Sequence, residues 1–255
     1  MNKLLVANWK LYKTHNKAIA WLGKHVKTLD QLAHNSHTTV VLCPSFTELQ
    51  TASDIISPTS LKLGAQNCAP HLEGPYTGET SAASLAQIGC TYCILGHHER
   101  RVYHHETDEE IAKKVLCALS QYIIPIICIG ESANDRKNKV TNVIIKKQLE
   151  PVLKVINEGI PPAIIHIAYE PWWAIGSGKT PSANELATTL YWLEEYITEH
   201  APQTKPYFLY GGSINDQTIK QYADISILSG YLVGSASTDF EKLGAIIKHL
   251  NKKTD

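Results

Sequence analysis

The 255-residue sequence has no stretch long and apolar enough to form a membrane-spanning helix, which needs about 20 such residues. Its first ten residues, MNKLLVANWK, hold an apolar run too short for the core of a signal peptide. It also has no net charge, because 24 Lys and Arg offset 24 Asp and Glu. A neutral chain gives no reason to expect nucleic acid or an anionic membrane as a partner. We therefore expect a soluble, cytoplasmic protein that attracts any anionic ligand through a local site.

The six cysteines are scattered and form neither a disulfide framework nor a zinc motif. The one C-x-x-C pair, Cys90 and Cys93, leads into an apolar, strand-like run. A redox pair would instead sit at a helix N-terminus, whose dipole lowers the thiol pKa, and a zinc site would need a second pair. We interpret Cys90 and Cys93 as core residues, since a free thiol packs as a small hydrophobe.

Short apolar runs alternate with amphipathic segments along the sequence. The runs predict eight strands: Leu4–Ala7, Thr39–Cys43, Leu61–Ala65, Tyr92–Leu95, Ile124–Ile129, Ile164–Ala168, Tyr207–Tyr210 and Leu228–Val233. Between the runs, apolar residues recur at helical spacing, as in the stripe Leu186, Leu190, Leu193 and Ile197. Three pairs have the spacing of a helix-capping box: Ser45 with Glu48, Thr107 with Glu110, and Ser182 with Glu185.

This alternation predicts an α/β fold in which a parallel sheet is covered on its outer face by helices. Eight strand–helix units in about 250 residues fit a closed, eight-stranded (β/α)8 barrel better than an open sheet. The first strand also lacks the G-x-G-x-x-G turn of a dinucleotide-binding open sheet. No change in composition marks a linker, so we expect a single domain over residues 1–255.

In such a barrel, the residues that follow the strands converge on one face. The polar or glycine candidates are Asn8 and Lys10 after strand 1, His97 and Glu99 after strand 4, Glu170 after strand 6, Gly211, Gly212 and Ser213 after strand 7, and Gly234 and Ser235 after strand 8. Their predicted convergence is more informative than any member alone.

Glu170 precedes a segment with the composition of a lid. Pro171 and two tryptophans follow it directly, and a Gly-Ser-Gly turn comes next. Rigid residues at a hinge and glycines at a tip are typical of a loop that closes as a unit. Closure would remove water from the Glu170 carboxylate and raise its proton affinity, as a base acting on a C–H bond requires.

His97, Lys10 and Asn8 complete a set of groups suited to that reaction. His97 lies where a strand gives way to a helical turn, and a helix N-terminus disfavours the charged imidazolium. A neutral imidazole can donate a hydrogen bond to a substrate carbonyl, Lys10 can stabilise an enediolate, and Asn8 can donate a further hydrogen bond. A base, a neutral electrophile and a cation indicate proton abstraction next to a carbonyl.

A phosphate site is predicted opposite these groups. Gly176, Ser213, Gly234 and Ser235 would offer backbone N–H groups from three loops. The loops after strands 7 and 8 are the usual phosphate site of such barrels. A site built from N–H groups suits a neutral protein that binds an anion.

Seven segments resemble the signatures of the triosephosphate isomerase family, in order and across nearly the whole chain. They are Asn8-Trp-Lys10, Leu95-Gly-His97, Cys128-Ile-Gly-Glu131, Ala168-Tyr-Glu170-Pro171, Ala174-Ile-Gly-Ser-Gly-Lys179, Tyr210-Gly-Gly-Ser213 and Leu232-Val-Gly234. The resemblance implies a TIM barrel that interconverts dihydroxyacetone phosphate and D-glyceraldehyde 3-phosphate without a cofactor or metal. It also implies that Glu170 is the base, His97 the electrophile, Lys10 the electrostatic stabiliser and Asn8 a substrate contact, the roles by which this enzyme family serves as a standard example.

The resemblance further implies a homodimer. In that arrangement the loop from Gln66 to Glu79 projects into the partner's site, where Thr77 braces Asn8 and His97. From the sequence alone this segment is a long loop containing proline and glycine, and long loops are more often functional than idle.

Four residues depart from the pattern of the family. His98 stands where Ser is usual, and a second imidazole there could change the pH profile or the resting position of Glu170. Trp172 replaces a smaller aliphatic residue in the first hinge of the lid. Pro181 has no N–H, so a hydrogen bond between this position and Tyr210 in a closed lid cannot form. Ser235 replaces a Gly, at a cost of roughly 1 kcal/mol if φ is positive. Each departure predicts altered rates rather than altered chemistry.

Two other functions remain open from the sequence. One is a metal-dependent barrel enzyme, because the twelve histidines include the pairs His97-His98 and His104-His105, although no H-x-H or H-E-x-x-H spacing occurs. The other is an inactive homologue that binds phosphosugars. The presence of all four polar groups, Asn8, Lys10, His97 and Glu170, argues against it, because binding alone needs only the phosphate loops.

Overall fold

A computed structural model describes residues 2–159 and 164–250. Eight parallel strands close into a barrel in the order of the chain, β1 to β8. They are β1 Lys3–Asn8, β2 Thr38–Cys43, β3 Lys62–Ala65, β4 Cys90–Leu95, β5 Ile124–Ile129, β6 Ile164–Tyr169, β7 Lys205–Tyr210 and β8 Leu228–Val233. The barrel and all eight predicted strands are confirmed. The prediction of one domain over 1–255 stays a prediction, and residues 1, 160–163 and 251–255 lie outside the described part.

Helices pack around the barrel. In the described residues they are α1 His15–Asn35, α2 Leu49–Ile56, α3 Ala82–Ile88, α4 His98–Tyr103, α5 Asp108–Ser120, α6 Ala133–Lys137, α7 Thr141–Gly159, α8 Ala183–His200 and α9 Phe240–Leu250. The connection from β7 to β8 differs from the predicted strand–helix unit, because it contains only a 3-10 helix, Thr218–Tyr222. The Asn215 side chain accepts the N–H groups of Gln217 and Thr218 and so forms a local turn there. None of the described helices has the length and apolarity needed to cross a membrane.

A helix begins after each of the three predicted capping residues, and two of them make the cap hydrogen bond. Ser182 forms a complete capping box with Glu185, and the Thr107 hydroxyl accepts the N–H of Glu110. The capping box predicted for Ser45 and Glu48 is wrong, because the Ser45 side chain makes no cap hydrogen bond, although the 3-10 helix Phe46–Glu48 begins directly after it and leads into α2. Its hydroxyl donates instead to the Lys10 carbonyl at 3.3 Å. Ser45 therefore supports the strand-end loop that carries Lys10 rather than capping a helix.

The core has two parts, set by the alternation of side chains along each strand. Side chains inside the barrel include Val6, Val41, Ile94, Ile126 and Leu232. Those on the outer face pack against the helices, where the stripe of α8 is buried. The barrel is filled by side chains and is not a channel, so a ligand can bind only at its ends.

The C-x-x-C pair belongs to this outer core, as predicted. Cys90 and Cys93 are buried free thiols at the two ends of one strand segment. Burial raises the pKa of Cys90 to about 12 and that of Cys93 well above its usual value. A thiol that is protonated and buried is inert toward redox chemistry and metal binding at neutral pH.

Candidate active site

The carboxyl ends of the strands surround one cavity of about 530 Å³. All eight residues predicted for the base, the electrophile, the cation, the amide and the phosphate loops line it. They are Asn8, Lys10, His97, Glu170, Gly176, Ser213, Gly234 and Ser235. Thr77 is exposed and does not line this cavity. Residues distant in sequence are therefore brought together by the order of strands around the barrel.

Lys10 has a strained backbone that three neighbours stabilise. Its φ of 48° lies in the left-handed region, which a residue with a Cβ rarely adopts. The Asn8 side chain accepts the Lys10 N–H at 3.0 Å, and Gln66 Nε2 donates to the Lys10 carbonyl at 3.0 Å. The Lys10 ammonium lies 2.6 Å from Glu99 Oε1. The strand-end loop thus fixes the position of a cation beside the cavity.

His97 is a neutral imidazole whose hydrogen-bonding pattern can be assigned. It caps α4, and its Nδ1 accepts the backbone N–H of Glu99 at 3.2 Å. An acceptor nitrogen carries no proton, so the proton of the neutral ring is on Nε2. Burial holds the pKa of His97 well below its usual value, with further lowering by His98 and Lys10. The ring therefore presents an N–H donor to the cavity at neutral pH.

Glu170 follows β6 and is only 2% exposed. Burial raises the pKa of its carboxyl to about 7, against the opposing effects of Lys10 and of the neighbouring Cys128 thiol and His98 backbone N–H. Its Oε1 lies 3.3 Å from His97 Nε2. A carboxyl with a pKa near 7 is matched to taking up and returning a proton at neutral pH.

Two glycines make room for Glu170. A Cβ at Gly211 would lie 2.5 Å from Glu170 Cγ, and a Cβ at Gly130 would lie 1.9 Å from the Glu170 carbonyl oxygen. Atoms in ordinary van der Waals contact are about 3.5–4.0 Å apart. Neither position tolerates a side chain without moving Glu170.

The segment after Glu170 has the features predicted for a lid. Trp172–Ala174 forms a 3-10 helix, and Gly176 and Gly178 at the tip have φ of 66° and 73°. The left-handed conformation of both glycines explains their place at the tip. The Ser213 hydroxyl donates to the Ala174 carbonyl at 2.5 Å.

Glu131, to which we assigned no role from the sequence, anchors the base of this lid. Its buried carboxylate accepts hydrogen bonds from the Tyr169 hydroxyl at 3.0 Å and from Trp173 Nε1 at 3.2 Å. Its carbonyl accepts the N–H of Trp172 at 2.9 Å. The Arg136 guanidinium lies over the Trp173 ring. The sequence did offer a sign of this role, because Glu131 follows Gly130 directly after strand 5, and a carboxylate at a strand end lies near the site.

The structure explains two of the four residues that depart from the family pattern, Ser235 and Pro181. Ser235 is not in the left-handed region; it begins the 3-10 helix Ser235–Thr238, so the expected backbone cost does not arise. At Pro181, the carbonyl accepts a hydrogen bond from the Tyr222 hydroxyl at 2.8 Å. The Tyr222 ring lies against that of Tyr210, with centroids 4.8 Å apart. A hydrogen bond to the second hinge of the lid is therefore made by Tyr222, next to the Tyr210 named in the sequence analysis.

The two histidine pairs on which the metal hypothesis rested lie in different surroundings. His104 and His105 are exposed at the end of α4. Within residues 2–159 and 164–250, one group of side chains has the geometry to hold a metal ion, formed by His97, His98 and Glu170. A metal held by this group would be in direct contact with the expected base and electrophile.

Comparisons with known proteins agree over nearly the whole chain. A sequence model described as "Triosephosphate isomerase" matches residues 3–250. The triosephosphate isomerase of Wolbachia sp. subsp. Brugia malayi (strain TRS) is 37% identical over 252 residues, which cover 99% of each chain. That of Dictyoglomus thermophilum is 38% identical over 251 residues, 96% of this chain and 98% of the other. The crystal structure of triosephosphate isomerase from Bartonella henselae matches with a TM-score of 0.84 at 28% identity, covering 99% of this chain and 100% of that one.

Proposed function

The chain belongs to the triosephosphate isomerase family, and from this premise we propose how its residues interconvert dihydroxyacetone phosphate and D-glyceraldehyde 3-phosphate. The enzyme is an aldose–ketose isomerase. The observation that carries the assignment of roles is the pairing of Glu170 and His97 at 3.3 Å inside one cavity. A base and a donor so close together can act on adjacent atoms of a small substrate.

Glu170 removes a proton from the carbon next to the substrate carbonyl. His97 Nε2–H donates to the carbonyl oxygen, where negative charge develops as the enediolate forms. Glu170 then returns the proton to the neighbouring carbon, while His97 moves protons between the two oxygens. In this scheme the substrate enters between the two side chains and takes over the contact that they make with each other.

Lys10 and Asn8 stabilise the same intermediate. The Lys10 ammonium faces the cavity from a fixed loop, so its charge needs no reorganisation when the enediolate forms. Glu99 holds that ammonium at 2.6 Å and keeps it beside the reacting oxygens. These groups suffice for the proton transfers, and the scheme includes no cofactor or metal.

The phosphate lies at the other end of the cavity. Gly176, Ser213, Gly234 and Ser235 all line that cavity and come from three loops. The 3-10 helix that begins at Ser235 directs backbone N–H groups toward the end of β8. An anion held there places the carbonyl end of a three-carbon chain near Glu170.

Glu170→Asp tests the assignment of the base. The shorter side chain withdraws the carboxylate by one methylene, and a displacement of about 1 Å at a reacting atom can cost about 10²-fold in rate. We expect kcat to fall by about that factor or more, with little change in KM, in a coupled assay with D-glyceraldehyde 3-phosphate. Glu195→Asp, at an exposed position on α8, is the control. Equal turnover in Glu170→Asp would refute the role of Glu170.

Running the same assay in a chelator separates the alternatives. Activity that persists after prolonged chelation excludes a metal-dependent barrel enzyme. Measurable turnover excludes an inactive phosphosugar-binding homologue. Family membership and the intact set of four polar groups favour the isomerase over both.

A homodimer is part of the proposal. Large apolar side chains are exposed around the loop from Gln66 to Glu79. They include Leu11, which is 92% exposed, and also Phe46, Leu72, Tyr76 and Tyr103. A second cavity of about 180 Å³, lined in part by Asn8, His97 and Gln66, adjoins this surface. A loop from a second copy fits there, and its Thr77 would then brace Asn8 and His97 as the family pattern implies.

Thr77→Arg tests the dimer. A long charged side chain at the loop tip should prevent docking, so we expect the variant to sediment as a monomer with lowered kcat. Val143→Arg places the same charge on an exposed apolar position of α7 and is the control. A wild-type chain that sediments as a monomer at assay concentration would contradict the dimer. The cytoplasmic location expected from the sequence likewise stays a prediction.

A further inference from the structure

His98 gives the active site a feature that the isomerase reaction does not use. His97, His98 and Glu170 each present a ligand atom, and these three atoms lie within 4.8 Å of one another. His98 Nδ1 is buried and makes no hydrogen bond with any described residue. We propose that these three side chains form an inhibitory site for a divalent transition metal of the zinc class, which binds in place of the substrate.

The spacing of the ligands suits zinc. Zinc bonds to imidazole nitrogen and carboxylate oxygen are about 2.0–2.2 Å long, so two tetrahedral ligands lie about 3.3–3.5 Å apart. His97 Nε2 and Glu170 Oε1 are already separated by 3.3 Å. The rings of His97 and His98 are neighbours, with centroids 4.6 Å apart. The three ligand atoms lie within 4.8 Å of one another, so a rotation of the His98 side chain toward the other two would complete three ligands and leave a fourth position for water.

The tautomer of His97 can adjust to a metal. In the structure Nε2 carries the proton, because Nδ1 accepts the Glu99 N–H. Binding through Nε2 requires that proton to leave and one to reside on Nδ1 instead. The Glu99 backbone N–H then loses its acceptor, and the Glu99 carboxylate, 3.6 Å from Nδ1 in the structure, has to move closer to accept a hydrogen bond from Nδ1–H. A carboxylate behind a metal-binding histidine is the usual arrangement, since it orients the ring and increases its basicity.

The local charge also favours a cation. The Lys10 ammonium is paired with the Glu99 carboxylate beside these ligands, so Lys10, Glu99 and Glu170 together carry 1 − 2 = −1 charge when Glu170 is ionised. The neighbouring guanidinium groups of Arg100 and Arg101 are each paired outside the cluster, with Glu106 and Asp108. Two imidazoles and one carboxylate select zinc-class ions rather than Mg²⁺ or Ca²⁺, which prefer oxygen ligands.

An ion bound here would inhibit in a defined way. It would occupy the base and the electrophile together, and it would close the gap into which the substrate enters. Inhibition should therefore compete with the substrate. This consequence rests on the proposed function, whereas binding of the ion itself does not.

Zinc binding to the metal-free protein tests the site directly. Titration calorimetry with Zn²⁺ alone should give one ion per chain, and His98→Ser should weaken binding by about tenfold or more, since even outer groups around a metal contribute that much. His98→Asn is a second variant that keeps a polar group of similar size. His104→Ser, at the exposed histidine that caps the C-terminus of α4, is the matched control and should bind as the wild type does. Thermal unfolding of each variant verifies that it is folded.

Two further measurements identify the ligands and the effect. Co²⁺ in place of Zn²⁺ should give the visible absorption of a four-coordinate nitrogen and oxygen site, without a thiolate charge-transfer band. The inhibition constant for Zn²⁺ should rise in His98→Ser by the same factor as the dissociation constant. Equal zinc affinity in His98→Ser and wild type, loss of binding in His104→Ser, or a thiolate band would each overturn the site. Absence of isomerase activity in the chelated wild type would instead overturn the proposed function and leave the binding result standing.

Discussion

Gly211→Ala should misplace the base while leaving the fold intact. The new Cβ would lie 2.5 Å from Glu170 Cγ, 3.0 Å from Oε1 and 3.2 Å from Cδ. Ordinary carbon–carbon contact begins at about 3.5 Å, so the Glu170 side chain must move by about 1 Å. The φ of Gly211 is not positive, and its N–H already bonds to the Tyr169 carbonyl at 2.9 Å, so the alanine backbone itself is not strained. The clash therefore falls on the carboxylate that we assign as the base.

A displacement of that size gives the expected magnitude. Misplacing a reacting group by about 1 Å can cost about 10²-fold in rate. In the coupled assay we expect kcat to fall by about that factor and KM to change little, because the phosphate loops keep their positions. A fall in kcat together with a rise in KM would indicate instead that the phosphate loops have moved as well.

Gly23→Ala is the matched control. Gly23 lies within α1, and an added Cβ there would meet nothing within 4 Å. Replacing a helical glycine by alanine should raise stability by about 1 kcal/mol and leave turnover unchanged. If Gly211→Ala unfolds at the same temperature as the wild type and keeps kcat within about twofold, the placement of Glu170 against Gly211 is wrong.

Two further predictions concern stability. Glu131→Ala leaves the buried Tyr169 hydroxyl and the Trp173 indole without their acceptor, so unfolding should become easier by about 2 kcal/mol and Tm should fall by roughly 4–8 °C, as calorimetry can measure. His166 lies on β6, where its ring contacts those of Tyr92 and Tyr207, and burial lowers its pKa to about 4. Between pH 6.5 and 4 the unfolded chain binds a proton that the folded chain does not, so stability should fall as the pH falls through this range. Between pH 7 and pH 4, the free energy of unfolding from denaturant titrations should fall by about 3 kcal/mol more in the wild type than in His166→Leu. An equal fall in the two proteins would contradict a neutral buried imidazole.

The strands could be predicted because buried parallel strands are nearly continuous apolar runs, which periodicity detects. Their ends were predicted less well. Lys3 and Lys205 belong to strands that were predicted to begin later, because pairing with a neighbour can include a polar residue at the barrel rim. The short 3-10 helix after β7 was missed for a related reason, since the Asn215 turn is local chemistry within an apparently helical segment.

The members of the site could be predicted, but the contacts among them could not. Strand order brings Asn8, Lys10, His97 and Glu170 to one cavity, and the order follows from the succession of strands. The partners of Lys10 come from three different strand ends: Asn8 ends β1, Gln66 follows β3 and Glu99 comes after β4. No spacing in the sequence indicates that Gln66 and Ser45 both reach the Lys10 carbonyl. The left-handed backbone of Lys10 likewise depends on those contacts and cannot be derived from residue type.

The structure changes the explanation of how the carboxylate of Glu170, the proposed base, gains proton affinity. From the sequence, closure of the lid was expected to remove water from the carboxylate. In the structure Gly176 and Gly178 at the lid tip are exposed, yet Glu170 is only 2% exposed and its pKa is raised to about 7. Part of this burial comes from the barrel itself, through the close approach of Gly130 and Gly211. In the mechanism that we propose, a base that is already largely dehydrated has a raised proton affinity before the substrate arrives, and the lid positions the phosphate and keeps water from the enediolate.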